Sequence, residues 1–155
     1  MITLRRFTKS DGERCLHLYR DTIRRINVDD YTPTQIAAWA SNDIENDRWS
    51  ASFVGRYAYV AMIGEVIVGF SDMTADGYLD RLYVSADHQR QGIATALVSR
   101  LLDDALTSGI EMVCVDVSIT ALPFFTKIGF ADPVEQTVEC RGSRFTNYRM
   151  TRVVG

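Results

Sequence analysis

Hydrophobic and polar positions along this chain follow two rhythms, one of period two and one of period 3.6, and their order predicts the elements. Ile2 and Leu4 alternate with Thr3 and Arg5, predicting a strand over Ile2–Phe7. Ser10-Asp11-Gly12-Glu13 reads as a capping box, and Leu16, Tyr19, Ile23 and Ile26 follow at helical spacing, so a helix is expected over residues 11–25. Asn27–Tyr31 is a polar, acidic loop, and Thr32-Pro33 opens a second helix whose apolar side is Ile36, Trp39 and Ala40. A shorter helix is expected over Ile44–Trp49. The rhythm then changes to strands: Tyr57–Ile63, Val66–Thr74 and Tyr78–Val84, turning at Gly64-Glu65 and Asp76-Gly77.

A polar loop, Ser85–Gln91, leads into a long helix. Ile93, Ala94, Leu97, Val98, Leu101, Leu102, Ala105 and Leu106 fit its period, and Ser108-Gly109 closes it. Glu111–Ser118 is nearly continuous in apolar character, which predicts a central strand covered on both faces. A short helix over Thr120–Ile128 follows, then a hairpin of Thr137–Arg141 and Phe145–Thr151 across Gly142-Ser143. This order predicts a mixed α/β domain with helices covering a sheet.

Composition narrows the class. The 155 residues fit a single domain, 1–155, that can build a core without disulfides or a structural metal. With 46% hydrophobic and 24% charged residues, the chain is globular rather than disordered. A net charge of −3 argues against nucleic acid as a partner. Cys15, Cys114 and Cys140 lie far apart, and His17 and His88 have no ligand partner nearby in sequence. No metal site is expected, and a reducing cytoplasm is the natural compartment. No apolar run approaches the ~18 residues of a membrane span, so no membrane partner is expected.

The chemistry concentrates in Leu82-Tyr83-Val84 followed by His88-Gln89-Arg90-Gln91-Gly92-Ile93-Ala94-Thr95. A strand ends, a loop turns, and a glycine begins a long helix. The first N–H groups of a helix lack internal partners and lie at the positive end of its dipole. A glycine there admits an anion close to the backbone, so the segment is a candidate phosphate site. Asp80 lies two and four residues before Leu82 and Val84, which predicts a shared strand face; the bland alternative is an ion pair with Arg81 or a neighbouring strand. Asp116 is a carboxylate in an apolar strand, where burial would raise its pKa, or where it would be hydrogen-bonded structurally.

Gln89-x-x-Gly92-x-Ala94 resembles the Gln/Arg-x-x-Gly-x-Gly/Ala signature of the GNAT superfamily of N-acetyltransferases. Ser118-Ile119-Thr120-Ala121-Leu122-Pro123-Phe124-Phe125-Thr126-Lys127-Ile128-Gly129-Phe130 resembles that family's Asn-x-x-Ala-x-x-Phe-Tyr-x-Lys-x-Gly-Phe region. Within the superfamily the strings Ser-Ile-Thr-Ala-x-Pro-Phe-Phe and Val-Glu-Cys-Arg-Gly are similar to the YafP-like bacterial group.

The resemblance implies a GNAT acyltransferase fold: a mixed, mostly antiparallel sheet of about seven strands with helices on both faces. It implies acetyl-CoA as cofactor and an amine, of a small molecule or a peptide, as acceptor, with homodimer formation left open. Backbone N–H groups from Gln89 through Arg90, Gln91, Gly92, Ile93 and Ala94 to Thr95 would hold the pyrophosphate. Leu82, Tyr83 and Val84 would line the pantetheine arm, with Ser118 and Phe125 beside the thioester. Val84 N–H would donate to the developing oxyanion, Asp80 would be the base, and Asp116 stands second.

An amine of pKa near 10.4 needs such a base, because its neutral form lies about 4.6 kcal/mol uphill at pH 7. Phe125 stands where the family often has a tyrosine acid, so Tyr83, Tyr148, Cys140 or water would act instead, or the thiolate would leave unprotonated. Asp29, Tyr31 and Trp39 lie in the segment that walls the acceptor pocket of the family, with Asp30 and Trp49 near them. The rival expectation is a non-catalytic acyl-CoA binding module, which Phe125 keeps open.

Overall fold

In a computed structural model describing all 155 residues, seven strands form one sheet. They are β1 (Ile2–Arg6), β2 (Tyr57–Ile63), β3 (Val66–Met73), β4 (Tyr78–Val84), β5 (Met112–Ser118), β6 (Ala131–Cys140) and β7 (Ser143–Val153). The helices are α1 (Gly12–Arg25), α2 (Pro33–Trp39), α3 (Asn46–Ala51), α4 (Ile93–Thr107) and α5 (Leu122–Lys127). The sheet order is β1-β2-β3-β4-β5-β7-β6, and only β4 and β5 run parallel. A parallel pair needs a crossover, and α4 supplies it. No helix is long and apolar enough to cross a membrane.

Each face of the sheet carries its own core. Leu97 and Leu101 of α4 pack with Val113, Val115, Phe125 and Phe130 on one side. Cys15, Leu16 and Ile23 of α1 pack with Trp49, Phe53 and Phe70 on the other. The helices thus lie on both faces, as the pattern and the resemblance predict.

Three local expectations need correction. First, the helix start is not capped by Ser10. A single 3-10 turn, Lys9–Asp11, precedes α1, and Asp11 accepts from Thr8 N–H at 2.8 Å and from Arg5 through two bonds of 2.8 Å. Second, β5 is not covered equally: Val113, Val115 and Val117 are buried, whereas Cys114, Asp116 and Ser118 are partly open. On that open face α1 packs over β3 and β4, while α2 packs against β7. Third, β6 begins at Ala131, six residues before its expected start. Pro133 lies within a register shift between Ala131 and Val134, at the outer edge of the sheet, where a missing N–H costs no ladder bond.

Asp11 gives the first testable consequence. It is 1% exposed, and although burial opposes ionisation, the bonds from Arg5 and Thr8 hold its carboxyl down at about 2. A depressed carboxylate stabilises the fold above its unfolded pKa, and that contribution disappears as pH falls from about 4 to about 2. Asp11→Asn is therefore expected to cost about 2 kcal/mol near pH 7. The difference from the parent should close as the pH approaches 2, measured by urea unfolding across pH.

Candidate active site

The site grows from a parting of strands. β4 and β5 pair only at Tyr78↔Cys114 and Leu79↔Val115, and beyond those residues they diverge. On its other edge β4 remains paired to β3 up to Gly69↔Val84. Ser85 N–H bonds to Val68 C=O at 2.8 Å, which fixes the alternation of the ladder. Leu82 and Val84 therefore turn their N–H and C=O groups away from β3, into the gap. Val84 C=O is already occupied: Thr22 Oγ1 donates to it at 3.0 Å and Gln89 Nε2 at 2.9 Å. What β4 offers a strand-like ligand is Leu82 N–H and C=O, and Val84 N–H.

The gap opens into a cleft of about 870 Å³ that runs to the N-terminus of α4. None of the backbone N–H groups from Gln89 to Thr95 has a protein partner. Gly92 caps the helix in the left-handed region, at φ 81°, and Arg90 before it is also left-handed, at φ 61°. A β-carbon on Gly92 would meet no atom within 4 Å, so it is conformation and open space, not crowding, that calls for glycine here. The loop thus presents free donors at the positive end of a 15-residue helix, an arrangement that suits a phosphate chain. Gln89, Arg90, Gly92, Ile93, Ala94 and Thr95 line the cleft; the Gln91 side chain is exposed outside it. The Ile93 side chain is buried in the core, leaving only its N–H for a ligand.

Asp80 does not share the face of Leu82 and Val84. The register passes from Asp72↔Arg81 to Met73↔Leu79, so Asp80 is the extra residue of a β-bulge. Leu79, Leu82 and Val84 pack together on the α4 side. The Asp80 carboxylate instead joins a network with residues that pack on the α1 side. Asp72, 0% exposed, accepts from Arg81 through two bonds and from Arg56 at 3.0 Å, and the same Arg56 nitrogen reaches Asp80 Oδ2 at 2.5 Å. Arg81 lies over Phe53, its guanidinium carbon 3.7 Å from the ring centre. Asp80 Oδ1 has no partner, and Asp80 lines the cleft. The ion pair that was the bland alternative therefore exists, but with Arg56.

The family model for the acetyltransferase (GNAT) domain matches residues 27–152. The uncharacterized N-acetyltransferase YafP of Escherichia coli K12 is 34% identical over 149 residues, covering 96% of this chain and 94% of that protein. A GCN5-related N-acetyltransferase of Rhodopseudomonas palustris superposes with a TM-score of 0.94 at 28% identity, over 97% of this chain and 94% of its own. The PaiA N-acetyltransferase of Thermoplasma acidophilum, solved with coenzyme A, superposes with a TM-score of 0.77 at 18% identity, over 99% of each chain. The chain belongs to the GNAT acetyltransferase family.

Within this GNAT cleft the remaining expected residues divide. Asp116 lines it but is fully engaged: Arg149 donates two bonds of 2.8 Å, Gln136 one of 2.8 Å and Tyr78 one of 3.1 Å. The Arg149 pair, helped by Tyr78 and Gln136 and against the effect of burial, lowers its pKa. That is the opposite of the rise expected from its apolar strand, and it marks a structural anion rather than a proton acceptor. Asp116→Asn is expected to cost about 1–3 kcal/mol of stability, because it loosens a partly buried charged network. It should leave the pH profile of turnover unchanged, as thermal melts and rate profiles of the same protein would show.

Phe125 is 3% exposed in the α4-side core, against Phe130, so it closes the floor of the cleft with carbon. Ser118 lines the cleft, and its Oγ accepts from Ala121 N–H at 3.1 Å, shaping the turn into α5. The Tyr83 ring packs against Tyr19 and Phe70 on the α1 side, and burial pushes its hydroxyl pKa far up. Neither Tyr148, bonded to Glu135, nor Cys140, contacting the Ala38 carbonyl and Arg141, lines the cleft.

Of the expected acceptor wall, Trp39 lines the cleft, while Asp29 and Tyr31 do not. Tyr31 is buried and ties the loop before α2 to both Ile119 N–H, at 2.9 Å, and the Thr146 carbonyl, at 3.4 Å. Asp30 is engaged by Thr120, and Trp49 lies in the α1-side core. Sequence reasoning missed Thr22, Arg56, Asp72 and Phe124. The first carried a signal, a hydroxyl on the apolar side of α1 between Leu18 and Ile26; so did the third, a carboxylate inside the apolar strand Val66–Met73.

Proposed function

We propose that the protein transfers the acetyl group of acetyl-CoA to a primary amine by direct attack with both substrates bound. The observation that carries this is the gap between β4 and β5, with its free backbone edge running into the row of unpaired N–H groups at α4. The N–H groups from Gln89 to Thr95 would hold the pyrophosphate. Leu82 and Val84 would receive the pantetheine arm as an added strand, and Val84 N–H would donate to the acetyl oxygen as charge gathers there. Coenzyme A bound to the PaiA relative supports this cofactor class.

Asp80 would accept the amine proton, directly or through a water, at the oxygen that Arg56 leaves free. No side-chain acid stands where Phe125 lies, so the sulfur would depart as thiolate, which a thiol pKa near 8.5 permits. The acceptor would be a small-molecule or peptide amine, handled by one domain spanning 1–155, and the free cysteines agree with a cytoplasmic setting.

The second reading, a non-catalytic acyl-CoA binding module, draws on the same Phe125. Thiol release from acetyl-CoA by the pure protein separates the two. The panel would hold small metabolite and drug-like amines, a peptide with a free N-terminus and a lysine peptide. Amine-dependent release with acetylated product supports transfer. Saturable binding with no release from any amine favours the binding module.

A further inference from the structure

A hydrogen-bonded brace sits at the junction of β4 and the phosphate loop. Thr22 is in the last turn of α1 and is 5% exposed. A threonine inside a helix ordinarily returns its hydroxyl to the carbonyl four residues back. Thr22 instead donates across the molecule to Val84 C=O, at 3.0 Å. Gln89 Nε2 donates to the same carbonyl at 2.9 Å and to the next one, Ser85 C=O, at 3.1 Å. A carbonyl oxygen has two lone pairs, and here side chains from two different segments take both.

We infer that Thr22 is a positioning residue that acts through the backbone of Val84, holding the end of β4 away from β5 so that the gap stands ready for the pantetheine arm. With both lone pairs taken, Val84 C=O has no capacity left for an N–H of β5, so the ladder that ends at Leu79 and Val115 cannot close again at the end of β4. The same bonds, with Ser85 N–H to Val68 C=O, fix the peptide plane that follows Val84. Because α1 carries the hydroxyl, a helix packed over β3 and β4 also sets the shape of the cleft. The inference rests on the proposed binding of acetyl-CoA in this gap.

The effect expected is on the population of the open, binding-competent gap, so it should weaken ligands in proportion to their use of β4. Thr22→Val keeps the shape and removes the donor. By isothermal titration it is expected to weaken coenzyme A by about fivefold, the size of one net hydrogen bond. It should leave unchanged the affinity for the same nucleotide without its pantetheine arm, adenosine 3′-phosphate 5′-diphosphate. Thr22→Ser, which keeps the hydroxyl, is expected to bind both ligands like the parent.

Parent-like coenzyme A affinity in Thr22→Val would overturn the inference. So would an equal loss on both ligands, which would mean a general loosening of the fold, or a Thr22→Ser variant as weak as the valine. A parent protein that binds neither ligand would overturn the cofactor assignment itself, and this inference with it.

Discussion

Gly92→Glu is expected to abolish measurable binding of coenzyme A, a loss of at least about a hundredfold, while the protein stays folded. Two effects act together. Gly92 adopts φ 81°, where a side chain costs about 1–2 kcal/mol of backbone strain. The larger effect is electrostatic. The space beside the Gly92 α-carbon is open and faces the unpaired N–H groups of the loop. A carboxylate placed there would satisfy those donors itself and repel an incoming phosphate. Gly92→Ala separates the two effects, since it carries the strain without the charge and should weaken binding only modestly. Because the position contacts no other part of the protein, the melting temperature should fall only by the few degrees that this strain costs, and equally in Gly92→Ala. Titration calorimetry and a thermal melt of the three proteins check both statements, and parent-like affinity in Gly92→Glu would show that the phosphate chain does not bind at α4.

Asp80→Asn is expected to lower kcat by about a hundredfold or more, the usual contribution of a positioned general base, with KM for acetyl-CoA nearly unchanged. The amide keeps the shape and one acceptor for Arg56, so the Asp72–Arg56–Arg81 network stays assembled. What disappears is a carboxylate oxygen able to receive a proton in the cleft. A rate like that of the parent would show that the amine proton leaves by another route. An equal loss in Asp80→Asn and Arg56→Gln, with lowered melting temperatures in both, would show that the network serves stability instead.

The fold was legible because its signals are local and repeated. Eight apolar positions at helical spacing mark α4, Asp76-Gly77 marks the turn into β4, and the order of elements leaves few topologies. The phosphate loop was legible for the same reason, since Gln89, Gly92 and Ala94 are close in sequence and their purpose is met by backbone. The acid–base chemistry was less so. Counting residues along β4 assumes strict alternation, and the bulge at Asp80, which appears only once β4 is paired with β3, breaks it. Asp116 was read as a carboxylate alone among apolar neighbours, because the partner that lowers its pKa, Arg149, is 33 residues away on β7. Tyr31 resembled pocket lining because aromatic character cannot tell a wall from a tie. Its role appears only when Ile119 and Thr146, from two other segments, come within reach of its hydroxyl.

The most direct test of the central claim is an isothermal titration of the purified protein with acetyl-CoA, run beside coenzyme A and repeated with Gly92→Glu. Saturable one-to-one binding in the micromolar range by the parent, and no saturable binding by the variant, is the predicted result. A folded parent protein that shows no saturable binding of either ligand would contradict the claim that this cleft holds acetyl-CoA.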